Sequence, residues 1–336
     1  AVGGDALRAA GAEVAVRYET ISGMGLLEAA GRLPAVLAAR KRVVELFERD
    51  PPRIFVPVDF GGLNLRLARA ARARGIPVVY YIPPKVWAWG PWRVKKLREA
   101  VDEALVILPF EEAFFRERGV AATYVGSPVL DHLGERGFSA EPDTVGLLPG
   151  SRVGEVSRIW PLLVEASRLL LVSSGRPLRF LVPVAPGIDR GPLEESARGA
   201  GLAVELLDGR GQEVMERSRL CLVASGTATL ECAAVGTPMV VVYRINALTH
   251  FLARRLVTVP FAALPNLIAG RCVVPEVLQT GPQEIARAAL PLLAEGGPRA
   301  AMERGLAEVR SALGERGASL RAARRLAERL GPEVLA

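Results

Sequence analysis

The chain has 336 residues, more than one hydrophobic core usually supports, so two units of about 150 residues each are expected. Half of the residues are hydrophobic and 24% are charged, which excludes a disordered or fibrous chain. The net charge of +7 suits an acidic partner, but no zinc-finger spacing, RNP-like aromatic pattern or long Lys/Arg block is present, so nucleic acid is set aside in favour of an anionic membrane surface or a phosphorylated substrate.

In chain order, an apolar helical stripe over Met24 to Phe47 is interrupted by Pro34 and flanked by Arg32, Arg40, Lys41 and Arg42. It reads either as an ordinary surface helix or as a membrane contact. Ile54–Val58 is predicted as a strand, Leu63–Arg74 as a helix, and Val78–Ile82 as a strand closed by Pro83 and Pro84. Ala104–Leu108 is a further strand, followed by a helix around Glu111–Arg118 and a short strand at Thr123–Val125. Strands alternating with helices imply a parallel sheet covered by helices. The polar, Gly- and Pro-containing stretch Gly134–Asp143 is the best boundary, and the same alternation restarts after it. Strand Val145–Leu148 and helix Glu155–Leu171 come first, then strands at Arg179–Val184, Ala203–Leu206, Leu220–Val223 and Met239–Tyr243. From Pro282 onward, Ala, Leu, Arg and Glu at helical spacing predict two or three closing helices, broken near Gly296-Gly297-Pro298 and Gly317. The domains read as 1–138, 139–315 and a closing helix at 316–336 that returns to the first lobe.

Cys221, Cys232 and Cys272 lack C-x-x-C spacing, and His132 and His250 lie far apart, so neither a disulfide framework nor a metal site is expected. The charge-free stretch Leu256–Gly270 contains Pro260 and Pro265 and is too short for a membrane-spanning helix. Ala1–Arg17 lacks the order of a secretory signal, so a cytoplasmic location is expected.

Ligands of open α/β sheets bind beyond the carboxyl ends of the strands, so the turns there carry the chemistry. The first such turn is Leu148-Pro149-Gly150-Ser151-Arg152. Gly150 permits close backbone approach and Arg152 can grip a phosphate bidentately; an ordinary turn with a surface arginine is the alternative. The second, Ala224-Ser225-Gly226-Thr227-Ala228-Thr229-Leu230-Glu231, opens a helix. Its free N–H groups and the hydroxyls of Ser225 and Thr227 suit a diphosphate, with Glu231 placed for ribose hydroxyls; a capped helix is the alternative. In Leu264-Pro265-Asn266-Leu267-Ile268-Ala269-Gly270, the Asn266 amide either contacts ligand or braces an apolar loop. In the first unit, Asp59 ends a strand beside Gly61 and Gly62. It is a candidate general base or the N-cap of the next helix. Tyr81 to Trp89 suits the wall of a sugar or phosphate site, or a packed loop. A Walker A loop and a G-x-G-x-x-G fingerprint are both absent, which counts against ATP hydrolysis and hydride transfer.

Together with M-G-L-L-E at Met24, P-P-K-V-W-A-W at Pro83, L-P-F-E at Leu108 and P-M-V-V-V-Y-R at Pro238, these segments resemble the lipid-A-disaccharide synthase family from the start to about Gln279. The resemblance implies a GT-B fold, two Rossmann-like lobes with a cleft between them. It implies an inverting transfer from UDP-2,3-diacylglucosamine to 2,3-diacylglucosamine 1-phosphate, giving a β(1→6) disaccharide and UDP. It places Asp59 as the base and Gly150, Ser151, Arg152, Ser225, Gly226, Thr227, Glu231 and Asn266 on the UDP side. No cofactor or metal is implied. The implied location is the cytoplasm, peripheral to an anionic inner membrane, with a homodimer as a further expectation.

Family members start with a strand and a G-E-x-S-G-D-like turn, whereas this sequence begins at what reads as the second strand, Ala1 to Gly4. Gly62 also stands where the family often has a second Asp. The alternatives are a peptidoglycan-precursor glycosyltransferase, a UDP-GlcNAc 2-epimerase, or a non-catalytic nucleotide-sugar binding protein.

Overall fold

The computed structural model describes residues 1–21, 33–244 and 257–331. The M-G-L-L-E motif, His250 and the first part of the predicted Met24–Phe47 stripe lie outside the described residues.

A six-stranded sheet occupies the second half of the chain. Its strands are β6 (Glu141–Leu148), β7 (Arg179–Val184), β8 (Val204–Asp208), β9 (Ser218–Ala224), β10 (Met239–Tyr243) and β11 (Glu276–Leu278), in the order β11-β10-β9-β6-β7-β8. Every pairing is parallel. Such strands are covered on both faces, which explains why runs such as Leu220–Val223 are apolar without alternation. The helices α7 (Val153–Ser174), α8 (Arg190–Gly199), α9 (Gly211–Arg217) and α10 (Ala228–Val235) fill the crossovers. In α7, Val156, Ile159, Trp160, Leu163, Ser167 and Leu170 recur at helical spacing and are buried; Gly175, at φ 64°, ends the helix in the left-handed region that glycine adopts most readily.

The first half holds β1 (Val2–Gly3) paired with β2 (Val16–Arg17), and a parallel three-stranded sheet of β3 (Val79–Tyr81), β4 (Glu103–Val106) and β5 (Ala122–Tyr124). The predicted strand Ile54–Val58 is recorded as two isolated parallel bridges, Phe55 to Val78 and Val58 to Tyr81. Backbone bonds still run from Phe55 N to Pro77 O, Val79 N to Phe55 O, Tyr81 N to Pro57 O and Asp59 N to Tyr81 O. Pro57 has no N–H, so the bond that position 57 would make to Val79 O is missing and the ladder is interrupted there. The helices α1 (Asp5–Ala9), α2 (Leu33–Arg49), α3 (Gly61–Arg72), α4 (Val94–Ala100), α5 (Pro109–Arg116) and α6 (Pro128–His132) belong to this half. Pro34 lies in the first turn of α2, where its missing N–H costs nothing, rather than interrupting the helix.

After α11 (Leu264–Ala269), the chain closes with α12 (Pro282–Leu293), α13 (Gly297–Leu313) and α14 (Ala318–Leu330). The last helix returns to the first sheet. The Glu103 carboxylate, 2% exposed, accepts from Thr123 Oγ1 at 2.7 Å, Arg325 Nε at 2.9 Å, and Arg329 Nε and Nη2 at 2.9 and 2.7 Å. Burial opposes ionisation of Glu103, but the Thr123 hydroxyl and the two guanidinium groups outweigh it and hold its pKa below the ordinary value. Asp131, in α6, caps the same helix by accepting from the N–H groups of Gly317, Ala318 and Ser319 at 2.6, 3.1 and 2.9 Å.

Candidate functional site

In the six-stranded sheet the chain moves from β6 outward through β7 and β8, then returns to the other side of β6 with β9. The switch point, where a crevice opens beyond the carboxyl ends, therefore lies between β6 and β9. Leu148 is in register with Val223, so the turns that follow these residues are neighbours. Gly150 to Arg152 and Ser225 to Thr227 are the two turns in question.

In the first turn, Gly150 has φ 109°, a backbone conformation that favours glycine, and the Glu155 side chain lies against the position a Cβ would take. Ser151 and Arg152 are exposed, and Arg152 is the N-cap of α7. Among the described residues, neither the Arg152 guanidinium nor the N–H groups of Ser151 and Arg152 have a protein acceptor.

In the second turn, Ser225 N donates to Val242 O at 2.9 Å and Ser225 Oγ donates to Ala262 O at 3.1 Å. Gly226 and Thr227 are exposed, a Cβ on Gly226 would meet nothing, and their N–H groups have no acceptor among the described residues. Free donors at the start of α10 and in the Arg152 turn thus follow neighbouring strand ends, an arrangement that favours an anion. Glu231 lies in the first turn of α10, half-buried; burial pushes its carboxyl above the ordinary range and the His132 imidazole pulls it partway back.

Asn266 is different. It is fully buried, in α11 rather than in a loop, and its side chain is saturated by the protein. Nδ2 donates to Val274 O and Glu276 Oε1, both at 2.8 Å, while Oδ1 accepts from Val273 N at 2.7 Å and Val274 N at 2.9 Å. Two donors and two acceptors match what an amide offers, the arrangement of the loop-bracing alternative. Glu276 completes the brace by accepting from Ala262 N and Ala263 N, each at 2.9 Å, which fixes the carbonyl that Ser225 uses.

Asp59 lies on the first sheet, exposed, with both Asp59 and Phe60 at φ 46°. Two successive left-handed non-glycine residues cost free energy, and local bonds hold them. The Asp59 carbonyl accepts from Tyr80 Oη at 2.7 Å and Asn64 Nδ2 at 2.8 Å. Phe60, not Asp59, is the N-cap of α3, and the Asp59 carboxylate makes no cap bond, so its helix-cap reading is not what the structure contains. Burial, and then the Asp59 charge, raise the Tyr80 hydroxyl pKa, so Tyr80 stays a donor to this turn.

The Asp59 turn reaches the second lobe through a chain of contacts. A Cβ on Gly61 would sit 2.6 Å from Pro84 Cγ, so helix α3 starts directly against the P-P-K-V-W-A-W loop. That loop is pinned to the second half where Thr258 N donates to Ala88 O and Thr258 Oγ1 to Trp87 O, each at 3.1 Å. The segment containing Thr258 continues to Ala262, on which Ser225 rests. Sequence reasoning did not single out Asn64, Tyr80, Glu155 or Glu276. Tyr243, the end of a predicted strand and part of the P-M-V-V-V-Y-R segment, is 37% exposed at the end of β10 and near Glu155 and Arg158. Among the described residues, no group of three or more His, Cys, Asp and Glu gathers as metal ligands.

Parallel sheets covered by helices in both halves of the chain, with a topological switch point between β6 and β9 in the second, form two Rossmann-like lobes, the GT-B type of fold. Solved structures share it. The chain superposes on "S. aureus MnaA-UDP co-structure" with a TM-score of 0.58 at 13% identity, covering 86% of this chain and 77% of that one. On Acinetobacter baumannii MurG the TM-score is 0.55 at 14% identity, covering 92% and 82%. Sequence goes further than fold: residues 1–325 match the family model described as "Lipid-A-disaccharide synthetase", and the chain belongs to that family. It is 43% identical to the lipid-A-disaccharide synthase of Myxococcus xanthus, over 98% of this chain and 89% of that protein. Against the enzyme of Pseudomonas syringae pv. tomato the identity is 41%, over 88% and 80%. Membership makes the chain an enzyme of the glycosyltransferase class.

Proposed function

We propose that the chain transfers a diacylglucosamine unit from its UDP derivative to 2,3-diacylglucosamine 1-phosphate, releasing UDP and forming a β(1→6) disaccharide with inversion. The observation that carries this reading is the adjacency of the Gly150–Arg152 and Ser225–Thr227 turns at the switch point, with unengaged donors and an unpaired guanidinium. In this reading the diphosphate lies across both turns and Glu231 accepts from the ribose. Asp59 takes the proton of the acceptor's primary hydroxyl as that oxygen bonds to the anomeric carbon and the bond from that carbon to the UDP oxygen breaks. Arg152 and the start of α10 stabilise the charge on the departing diphosphate without a cofactor. Residues 1–138 carry the acceptor, 139–315 carry the UDP-sugar, and 316–336 close back on the first lobe, a division supported by the clamp on Glu103.

No helix among the described residues is long and apolar enough to cross a membrane. Attachment is assigned instead to basic residues of the 24–47 segment at an anionic, cytoplasm-facing surface, with a second copy of the chain as a partner in assembly. Mass analysis of the products tests the function. The reading requires a disaccharide phosphate and UDP in equal amounts. An epimerised UDP-sugar, or UDP-sugar binding with no turnover under conditions that support a related synthase, contradicts it.

A further inference from the structure

Directly after the Trp87–Ala88 clamp the chain turns outward through Trp89, Gly90, Pro91 and Trp92. Trp89 is 54% exposed and Trp92 64% exposed, the latter among the most exposed large apolar side chains of the described residues. The Arg93 guanidinium lies 5.7 Å from the Trp89 ring. Helix α4 follows, with Val94, Leu97 and Ala100 in the core and Lys95 and Lys96 pointing into solvent without an acidic partner among the described residues. Glu99, the acidic residue of this helix, is engaged by Arg69 at 3.5 Å. The turn therefore presents two indoles and three unbalanced cations.

Ordinary surface economy does not call for this combination, since indoles are costly to leave in water. Indole rings with an apolar body and a polar N–H partition to the headgroup level of a bilayer, and flanking Lys and Arg add attraction to anionic lipid. The turn also follows directly in sequence the Pro84 loop against which the start of α3, next to Asp59, packs.

We propose that the Trp89–Lys96 turn inserts its two indoles into the headgroup region of an anionic bilayer, giving a second contact apart from the 24–47 segment. This deepens the proposed function, because an acylated acceptor would leave the bilayer next to Asp59. Its test nevertheless uses vesicles that contain no glycolipid, so binding and turnover fail independently.

The chain has four tryptophans, and the other two, Trp87 and Trp160, are 5% and 3% exposed. Quenching by lipids brominated in the upper acyl chain therefore reports on Trp89 and Trp92. Vesicles rich in phosphatidylglycerol should quench part of the emission at low salt, and phosphatidylcholine vesicles far less. In flotation assays, Lys95→Gln with Lys96→Gln should weaken binding by about fivefold for each lysine, and added salt should weaken it further. Trp89→Ser with Trp92→Ser should lower flotation while the far-UV circular dichroism stays unchanged. Unquenched emission in anionic vesicles overturns the proposal, as does flotation insensitive to the tryptophan pair, including the case in which the turn docks a protein instead.

Discussion

The Trp87 indole Nε1 donates to Glu111 Oε1 at 2.8 Å, and Glu111 Oε2 accepts from the N–H groups of Ile107 and Leu108 at 3.1 and 3.0 Å. One carboxylate thus caps α5 and fixes the loop that lies between the Asp59 turn and the second lobe. Two separate sequence motifs meet at this bond.

Trp87→Phe should leave Glu111 Oε1 buried without that partner, at a cost of about 1–3 kcal/mol, read as a lower urea midpoint. Burial raises the Glu111 pKa above its unfolded value, despite the Trp87 indole and the two backbone donors. The native state therefore binds this proton more tightly. The contribution is full below the unfolded glutamate pKa of about 4.3 and is lost as pH rises through the raised value. Glu111→Gln should remove that decline from a series of urea titrations across pH; an unchanged slope would contradict the assignment.

Glu103 has the opposite sign. Its pKa is lowered, so its contribution is present above about pH 4.3 and is lost as pH falls through the depressed value. Arg325 and Arg329 are 37% and 42% exposed, so Glu103→Gln should cost about 2 kcal/mol at pH 7, less than a fully buried pair would. The difference from the parent should shrink under acid, and protease should cut the chain near α14 sooner in the variant. Equal acid sensitivity in both proteins would show that the clamp contributes little.

Arg152 and Asn266 should separate cleanly, because one is unengaged and the other saturated. Arg152→Ala should weaken UDP about ten- to a hundredfold by calorimetry, the worth of a charged hydrogen bond of roughly 1.5–3 kcal/mol, with the melting temperature nearly unchanged. Asn266→Ala should lower the melting temperature first, since it strands Val273 N, Val274 N and part of Glu276. A stable Asn266→Ala protein with UDP affinity selectively lost would restore a direct ligand role.

The second sheet was the more legible part of the sequence. Arg179–Val184 and Met239–Tyr243 have the ends that their apolar runs predict, because strands buried on both faces need nothing but such runs. The breaks at Gly296-Gly297-Pro298 and Gly317 likewise separate the three closing helices. The bracing of the site was less legible. Arg325 and Glu103 are 222 positions apart, and Asp131 caps a helix 186 positions away, distances over which neither periodicity nor propensity carries information. Asn266 shows the same limit at short range: its motif marks the position, but only the geometry around Glu276 shows which protein groups the amide engages.

The proposed function pairs UDP binding on the second sheet with a base on the first, and turnover of Asp59→Asn at saturating substrates tests that pairing most directly. The change keeps the size of the side chain and the backbone carbonyl that Tyr80 and Asn64 hold, but removes the basic oxygen. Disaccharide formation should slow by about 10²–10⁴-fold, the usual worth of a general base, with the affinity for UDP intact. Turnover within a few-fold of the parent would contradict the role given to Asp59.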